Sequence, residues 1–450
     1  MEMKSIKIFT PKYIIFLIIP LLIEQLLTLT IGMADTIMVA SCGESSVSGI
    51  ALVDSISTLL INLFSSFATG GAVIASQYIG AKKNEKACIA AKNLIIITIL
   101  VSASILIVGL IGNKNILRLI FGNITSEVLA AAEAYFILIL CSYPFLALIN
   151  SCNALFRAMG KSTITMVVSL LINLINISGN AIFIFIFGMG TRGAGLASLI
   201  SRIVGAAILL IVLCNKKHPV HINSPLKLEW NSHIARKITS IAIPAGIEGS
   251  IFQLGKVLVQ SMITTFGTAS IAANAAVNNI NSFANMPGAV IGLASVTIIG
   301  QCCGAQNYKA ALYYAKRLLT AAYGIMFLTC ILFFALTKPL VSLYNLSAEG
   351  TAIAIEVNYH CLIWSIAIWP LAFTMPNFIR ATGDAKFPMV VSISSMWIFR
   401  IFFSYFLGVK FGYGLLGVTY GMFMDWICRA SFFTHHFFKG KWMHKEALAE

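Results

Sequence analysis

The sequence predicts an all-α polytopic membrane protein with twelve transmembrane helices in two six-helix lobes related by a parallel internal repeat. Three observations carry that prediction. Of the 450 residues, 58% are hydrophobic and only 10% are charged, against roughly 25% charged in a soluble domain. Apolar runs recur from residue 13 to residue 437, most of them near the roughly 20 residues a helix needs to cross the hydrocarbon core. The chain also matches itself at a nearly constant offset of 224.

In chain order, the first six runs cover 13–40, 49–76, 93–112, 130–156, 163–187 and 193–214. The second six cover 237–265, 270–300, 318–336, 352–379, 387–409 and 414–437, and no stretch is left for a soluble domain. The first run follows Lys4, Lys7 and Lys12 as a secretory leader would. It is too long for one, carries Glu24 and Asp35 and lacks a small-x-small cleavage site, so it reads as a retained span. The basic, polar stretch between the sixth and seventh runs holds Pro219, Pro225 and three of the seven histidines. It divides the chain into an N-lobe, 1–215, a cytoplasmic linker, 216–236, and a C-lobe, 237–450.

The repeat places Pro20 and Glu24 on Pro244 and Glu248, Gly43 on Gly267, Gln77 on Gln301 and Tyr135 on Tyr359. After one deletion the register becomes 223, and "RAMGK" at Arg157 falls on "RATGD" at Arg380. Six spans per half is an even number, so both halves enter and leave on the same side of the membrane. They are then related by an axis along the membrane normal, the parallel-repeat plan of many secondary transporters.

The formal charge of +15 records topology. With the N-terminus inside, only Lys114, Arg118, Arg192, Lys338 and Lys410 of the 31 Lys and Arg lie in outer segments, and Arg202, Lys256 and Arg400 lie in spans. This is the positive-inside bias; it predicts a multi-pass cell-membrane protein with both termini cytoplasmic, in contact with anionic lipid and not with nucleic acid. The ten cysteines contain no C-x-x-C pair, so neither a disulfide framework nor a zinc site is expected.

The informative residues are the polar ones inside apolar spans. An ionised acid at mid-bilayer costs about 3 kcal/mol, so it persists where it meets a cavity, a partner or a proton. Counting about 1.5 Å per residue, Glu24 falls near the midplane and Asp35 near the outer mouth. The eleven residues between them put both on nearly one helix face. Either acid reads as a cavity group or as a satisfied packing partner. Asp54, at the outer start of the second span, reads as solvated. Arg202 in the sixth span is a possible counter-ion of Asp35 or Glu24. Lys256, eight residues after Glu248, reads as its partner or as a snorkelling side chain. His360 stands alone in the tenth span and reads as packing. The 30 Phe, 13 Tyr and 16 Met suit soft walls for flat, greasy cations, and equally suit lipid contact.

The combination "IPAGIEGSIFQLGKVLVQSMITTFGTASIAANAAV", "GQCCGAQNYKAA", "IRATGDAKFPM" and "MDWICRA" resembles the C-terminal half of the multidrug and toxic compound extrusion (MATE) transporters. "MADTIMVA", "SQYIGAKKNEKA", "LFRAMGKS" and "GMGTRGAGLAS" resemble the N-terminal half, in a bacterial branch. The resemblance covers nearly the whole chain. It implies a monomeric secondary carrier, without cofactor, that exports organic cations or other xenobiotics in exchange for protons or sodium. In its terms Asp35 matches an N-lobe acid tied to cation or proton coupling, and Glu248 a seventh-span glutamate given the same role, with Glu24 as a further candidate. Asn176 and Asn180 match an Asn and an Asp, four apart, that complete the N-lobe site with Arg202 nearby. Here Asn180 replaces the aspartate, so one titratable group is missing. The acid some relatives carry in the tenth span is absent around Trp369. Arg400 and Asp425 match common positions and are expected to form a structural ion pair.

Other functions fit less well. A flippase for a lipid-linked sugar, the alternative within the superfamily, tends to have more spans and a cationic cavity. A membrane-embedded enzyme is disfavoured by the lack of H-E-x-x-H, G-x-S-x-G or paired-aspartate patterns in any span.

Overall fold

The computed structural model describes residues 8–122, 125–222 and 229–444, without the side chains of Ile31, Met33, Ala34, Thr36, Ile37, Lys441 and His444. Lys4, Lys7 and linker residues 223–228, Pro225 among them, lie outside the described residues. Twelve long helices follow in order: α1 Pro11–Ala40, α2 Glu44–Gly80, α3 Asn84–Phe121, α4 Ser126–Ala158, α5 Ser162–Ile186 and α6 Gly190–Leu213. They continue as α7 Ser232–Thr264, α8 Thr268–Gly304, α9 Tyr308–Ala335, α10 Ala348–Ala381, α11 Lys386–Lys410 and α12 Gly414–Phe438. Among the described residues no strand occurs, and α1 to α11 are long and apolar enough to cross a membrane. Helix α12 has span length too, but Asp425 and Arg429 interrupt its apolar sequence.

Local chemistry sets the helix ends. Thr10 caps α1, its hydroxyl accepting from Tyr13 N at 3.2 Å, with Pro11 at the first position, where no N–H is needed. Asn307 and Ser347 cap α9 and α10 in the same way. Inside α1, Pro20 supplies no N–H to the carbonyl of Phe16. The Ser162 hydroxyl comes to that stretch of backbone, donating to Leu17 O at 2.8 Å and Phe16 O at 3.4 Å.

The repeat seen in the sequence is written again in the backbone. Gly43 and Gly267 precede α2 and α8 with φ of 98° and 91°, values open to glycine and costly to any residue with a Cβ. Lys82 and Gln306, also 224 apart, both turn left-handed at φ 58° and 53° although neither is glycine. Helix α5 changes to π winding over Ala181–Ile186, and α11 does so over Ser404–Lys410, in the 223 register.

The chain forms two compact units, Thr10–Gly246 and Ile247 onward together with Phe9, so the division falls inside α7. In the first unit Val53, Phe64, Phe136 and Tyr143 form the core between α2, α3 and α4. Its early α7 residues pack on α2 so closely that a Cβ on Gly70 would lie 2.7 Å from Ile238 O. Lipid tails are as apolar as leucine, so such close backbone approach through small residues is the force that holds spans together. The described part of the linker is packed as well, with Lys92 Nζ 3.2 Å from Glu229 Oε2 and Asn231 N donating to Asn93 Oδ1 at 3.0 Å. In the second unit Val259, Ile280, Phe423 and Trp426 lie in the core. His360 packs edge-on against Tyr420.

Candidate functional site

In the first unit α1 lies against α5, and their polar residues meet at two levels. Nearer the start of both helices, Glu24 is buried, accepting from Thr165 Oγ1 at 2.6 Å, with Arg157 Nη1 3.3 Å from its other oxygen. Further along, eleven residues after Glu24 on α1 and fifteen after Thr165 on α5, Asn180 Nδ2 donates to Asp35 Oδ1 at 2.6 Å and lies 3.4 Å from Asn176 Oδ1. Asn176 in turn donates to Ser198 Oγ on α6 at 3.2 Å. The common face expected for Glu24 and Asp35 is therefore present, but Glu24 sits beside Arg157 in the last turn of α4, away from the level of Asp35. Asn180 is the last residue before the π segment of α5, the kind of local unwinding that recurs at functional positions.

Asp35 is partly exposed, whereas Asn176 and Asn180 are buried. Asn180 Oδ1 is buried with no hydrogen-bond partner among the described residues. An amide oxygen orphaned beside a carboxylate is suited to a cation, because both are acceptors and the amide oxygen has no competing donor. Arg202 forms no ion pair within 4 Å of Asp35 or Glu24; its Nη1 donates to Ser142 Oγ at 2.6 Å. Its charge still reaches Asp35 and Asp54. Asp54 is exposed, in keeping with the solvated position expected from the sequence. Tyr135 Oη donates to its Oδ1 at 3.5 Å, and its charge acts on Asp35, a link from α2 that sequence reasoning missed. The signal was available: Tyr135 has a repeat mate in Tyr359, but its hydroxyl partner cannot be read from spacing.

The second unit repeats the lower level of this arrangement. Glu248 is buried, Arg380 Nη2 lies 2.6 Å from its Oε2, and Ser392 Oγ donates to its Oε1 at 2.8 Å. Glu24–Arg157 and Glu248–Arg380 are thus one ion pair present twice, joined by residues that the repeat had matched without pairing them. Lys256 is not Glu248's partner; its ammonium stands over the Phe252 ring at 5.3 Å.

Asp425 is fully buried on α12. Arg400 Nη1 lies 3.6 Å from one of its oxygens, and Arg429 Nε lies 2.7 Å from the other. Ser395 Oγ donates to Asp425 as well. The expected Arg400–Asp425 contact is joined by Arg429, one turn beyond Asp425 on α12, which lay in the twelfth run without being singled out. Its side chain is buried, and its Nη2 donates to Ser392 O at 3.1 Å. An open cleft of about 540 Å³ bounded by Ser46, Phe187, Thr191 and Arg192 contains none of these acids. Among the described residues no cluster of three or more His, Cys, Asp or Glu forms a metal site.

Comparison with known proteins agrees with this anatomy. The MatE family model matches residues 20–182 and again 244–406, two matches that begin 224 residues apart, as the internal repeat does. An uncharacterized transporter, YisQ, of Bacillus subtilis is 28% identical over 91% of this chain and 90% of its own length. A probable multidrug resistance protein NorM of Thermotoga maritima is 26% identical over 97% of this chain and 94% of its own. A MATE crystal structure in complex with MaL6 superposes with a TM-score of 0.89 at 20% identity, covering 95% of this chain and 96% of that one. With a family model matched to both halves and twelve helices built on its repeat, the chain belongs to the MATE family of multidrug efflux transporters.

Proposed function

We propose that this carrier exports lipophilic organic cations across the cell membrane in exchange for protons or sodium, with Asp35 as the exchange group. The observation that supports it is the pairing of a partly exposed carboxylate with Asn180, whose amide oxygen is buried and unbonded 145 residues away in sequence. Sodium or a substrate ammonium can be held by Asp35 and the Asn180 oxygen together, with Asn176 and Ser198 fixing the amide. A proton satisfies Asp35 alone. Occupancy by one therefore excludes the other, which is what exchange requires.

Asp54 supplies the second carboxylate that Asn180 lacks, and Arg202 offsets one charge, leaving the site singly negative when both acids are ionised. If one proton replaces one monovalent cation, no net charge crosses. The membrane potential, about 2.3 kcal/mol per charge per 100 mV, then drops out, and the pH gradient drives export at about 1.36 kcal/mol per unit. Glu24 and Glu248 are assigned a positioning role through Arg157 and Arg380, and Arg400 with Asp425 a structural one. The lobes 1–215 and 237–450, joined by 216–236, are the bodies that alternate in this reading, with both termini cytoplasmic and the monomer as the working unit.

Proteoliposomes loaded with ethidium test it under imposed pH or sodium gradients. Wild type should transport in response to one gradient, and Asp35→Asn should lose that response while Glu24→Gln keeps part of it. Undiminished gradient-driven transport by Asp35→Asn would refute the assignment.

A further inference from the structure

The polar cluster of the second unit has more positive charge than its acids can balance. Glu248 and Arg380 neutralise one another. Asp425 is left to serve both Arg400 and Arg429, and Lys256 has no acid partner within 4 Å among the described residues. All three of these cations gather on one ring: Arg429 Cζ is 4.9 Å, Arg400 Cζ 5.3 Å and Lys256 Nζ 5.3 Å from the centroid of Phe252. Lys256 and Arg400 lie within electrostatic range of each other. Cations gathered round one aromatic ring repel, and π attraction offsets only part of that repulsion.

Arg400 supplies a second, independent observation. Its Nε is buried with no hydrogen-bond partner among the described residues, and its Nη1 reaches only the Asp425 oxygen at 3.6 Å. A guanidinium presents five donors in a fixed fork and is seldom buried with one of them idle. The unbonded Nε–H is a charged donor suited to a carboxylate oxygen. Beside it the wall is aromatic: Phe373 meets Phe252 at 6.3 Å, Trp369 at 5.1 Å and Trp426 at 5.7 Å.

We propose that this cluster is an anion site that takes an aromatic carboxylate, the acid group between Lys256 and the unbonded Nε–H of Arg400 and the ring against Phe252 and Phe373. The site lies within the second unit, and the proposal does not depend on Asp35 being the exchange group. It adds a class of cargo, flat molecules that carry a carboxylate, to the organic cations assigned to the other unit.

Equilibrium dialysis of radiolabelled 2-naphthoate against the purified full-length protein in lipid nanodiscs tests this, with 2-naphthylmethanol as the uncharged match. Wild type should bind naphthoate more tightly than the alcohol. Lys256→Gln and Arg400→Gln should each weaken naphthoate by about tenfold, or about 1.4 kcal/mol, and leave the alcohol unchanged. Asp35→Asn should change neither. Lys256 is exposed and bears no structural bond, so Lys256→Gln remains decisive if Arg400→Gln does not fold. Equal affinity of wild type for the two probes would overturn the proposal, as would unchanged naphthoate binding in Lys256→Gln.

Discussion

Replacing Arg380 by methionine isolates what the duplicated ion pair contributes. The guanidinium donates to Glu248 at 2.6 Å and to Asn377 Oδ1 at 2.9 Å, and Glu248 is only 8% exposed. Arg380→Met keeps much of the side-chain volume and removes the charge, leaving a buried carboxylate whose one remaining donor is Ser392. Removing one partner of a buried pair costs about 3–5 kcal/mol. The surviving Ser392 bond favours the lower end of that range, since a hydrogen bond to a charged group is worth about 1.5–3 kcal/mol. An expected loss of about 3 kcal/mol follows. Removing both charges in Glu248→Leu/Arg380→Met eliminates the unpaired group and should recover most of it, because well-packed apolar replacements of buried pairs are often neutral. Reversible unfolding in mixed micelles, read by far-ultraviolet circular dichroism, measures all three proteins on one scale. Arg157→Met should lose less, its contact being longer at 3.3 Å. The reasoning fails if Arg380→Met unfolds like wild type, or if the double variant is less stable than Arg380→Met.

Other expectations concern the packing and the linker. A side chain at Gly70 meets Ile238 O at 2.7 Å, so Gly70→Leu should lose about 1–3 kcal/mol to overpacking. Gly43→Ala has nothing within 4 Å but sits at φ 98° and ψ 163°, a region almost confined to glycine, so it should lose only the backbone strain of about 1–3 kcal/mol; the same unfolding assay compares the two. In the linker, burial holds the His218 imidazole below its ordinary pKa, and Lys161 at 2.5 Å and His221 push it the same way. The unfolded segment therefore takes up its proton first as pH falls. Anchoring of 216–222 should be complete above about pH 6.5 and weaken below it, as the folded histidine titrates. Hydrogen exchange of that segment, corrected for the intrinsic rate, should show the step in wild type and lose it in His218→Gln.

Composition and spacing alone determined the class of this protein. Lipid forces a spanning backbone to bond to itself, so twelve apolar runs leave helices as the only solution, and a 224-residue register then requires two like halves. Which polar groups touch was decided by tertiary structure. The repeat matched Glu24 with Glu248 and Arg157 with Arg380, but their pairing across 133 and 132 residues depends on how α1 meets α4 and α7 meets α10. Arg202 was a candidate counter-ion for Asp35, yet the packing of α6 on α4 turns it to Ser142. Tyr135 met Asp54, and Arg429 joined Asp425, for the same reason. Hydropathy records how much of a helix avoids water, which is a property of each segment. Side-chain partners depend on the rotation and depth of one helix against another, and those are fixed only when small residues such as Gly70 let the backbones close.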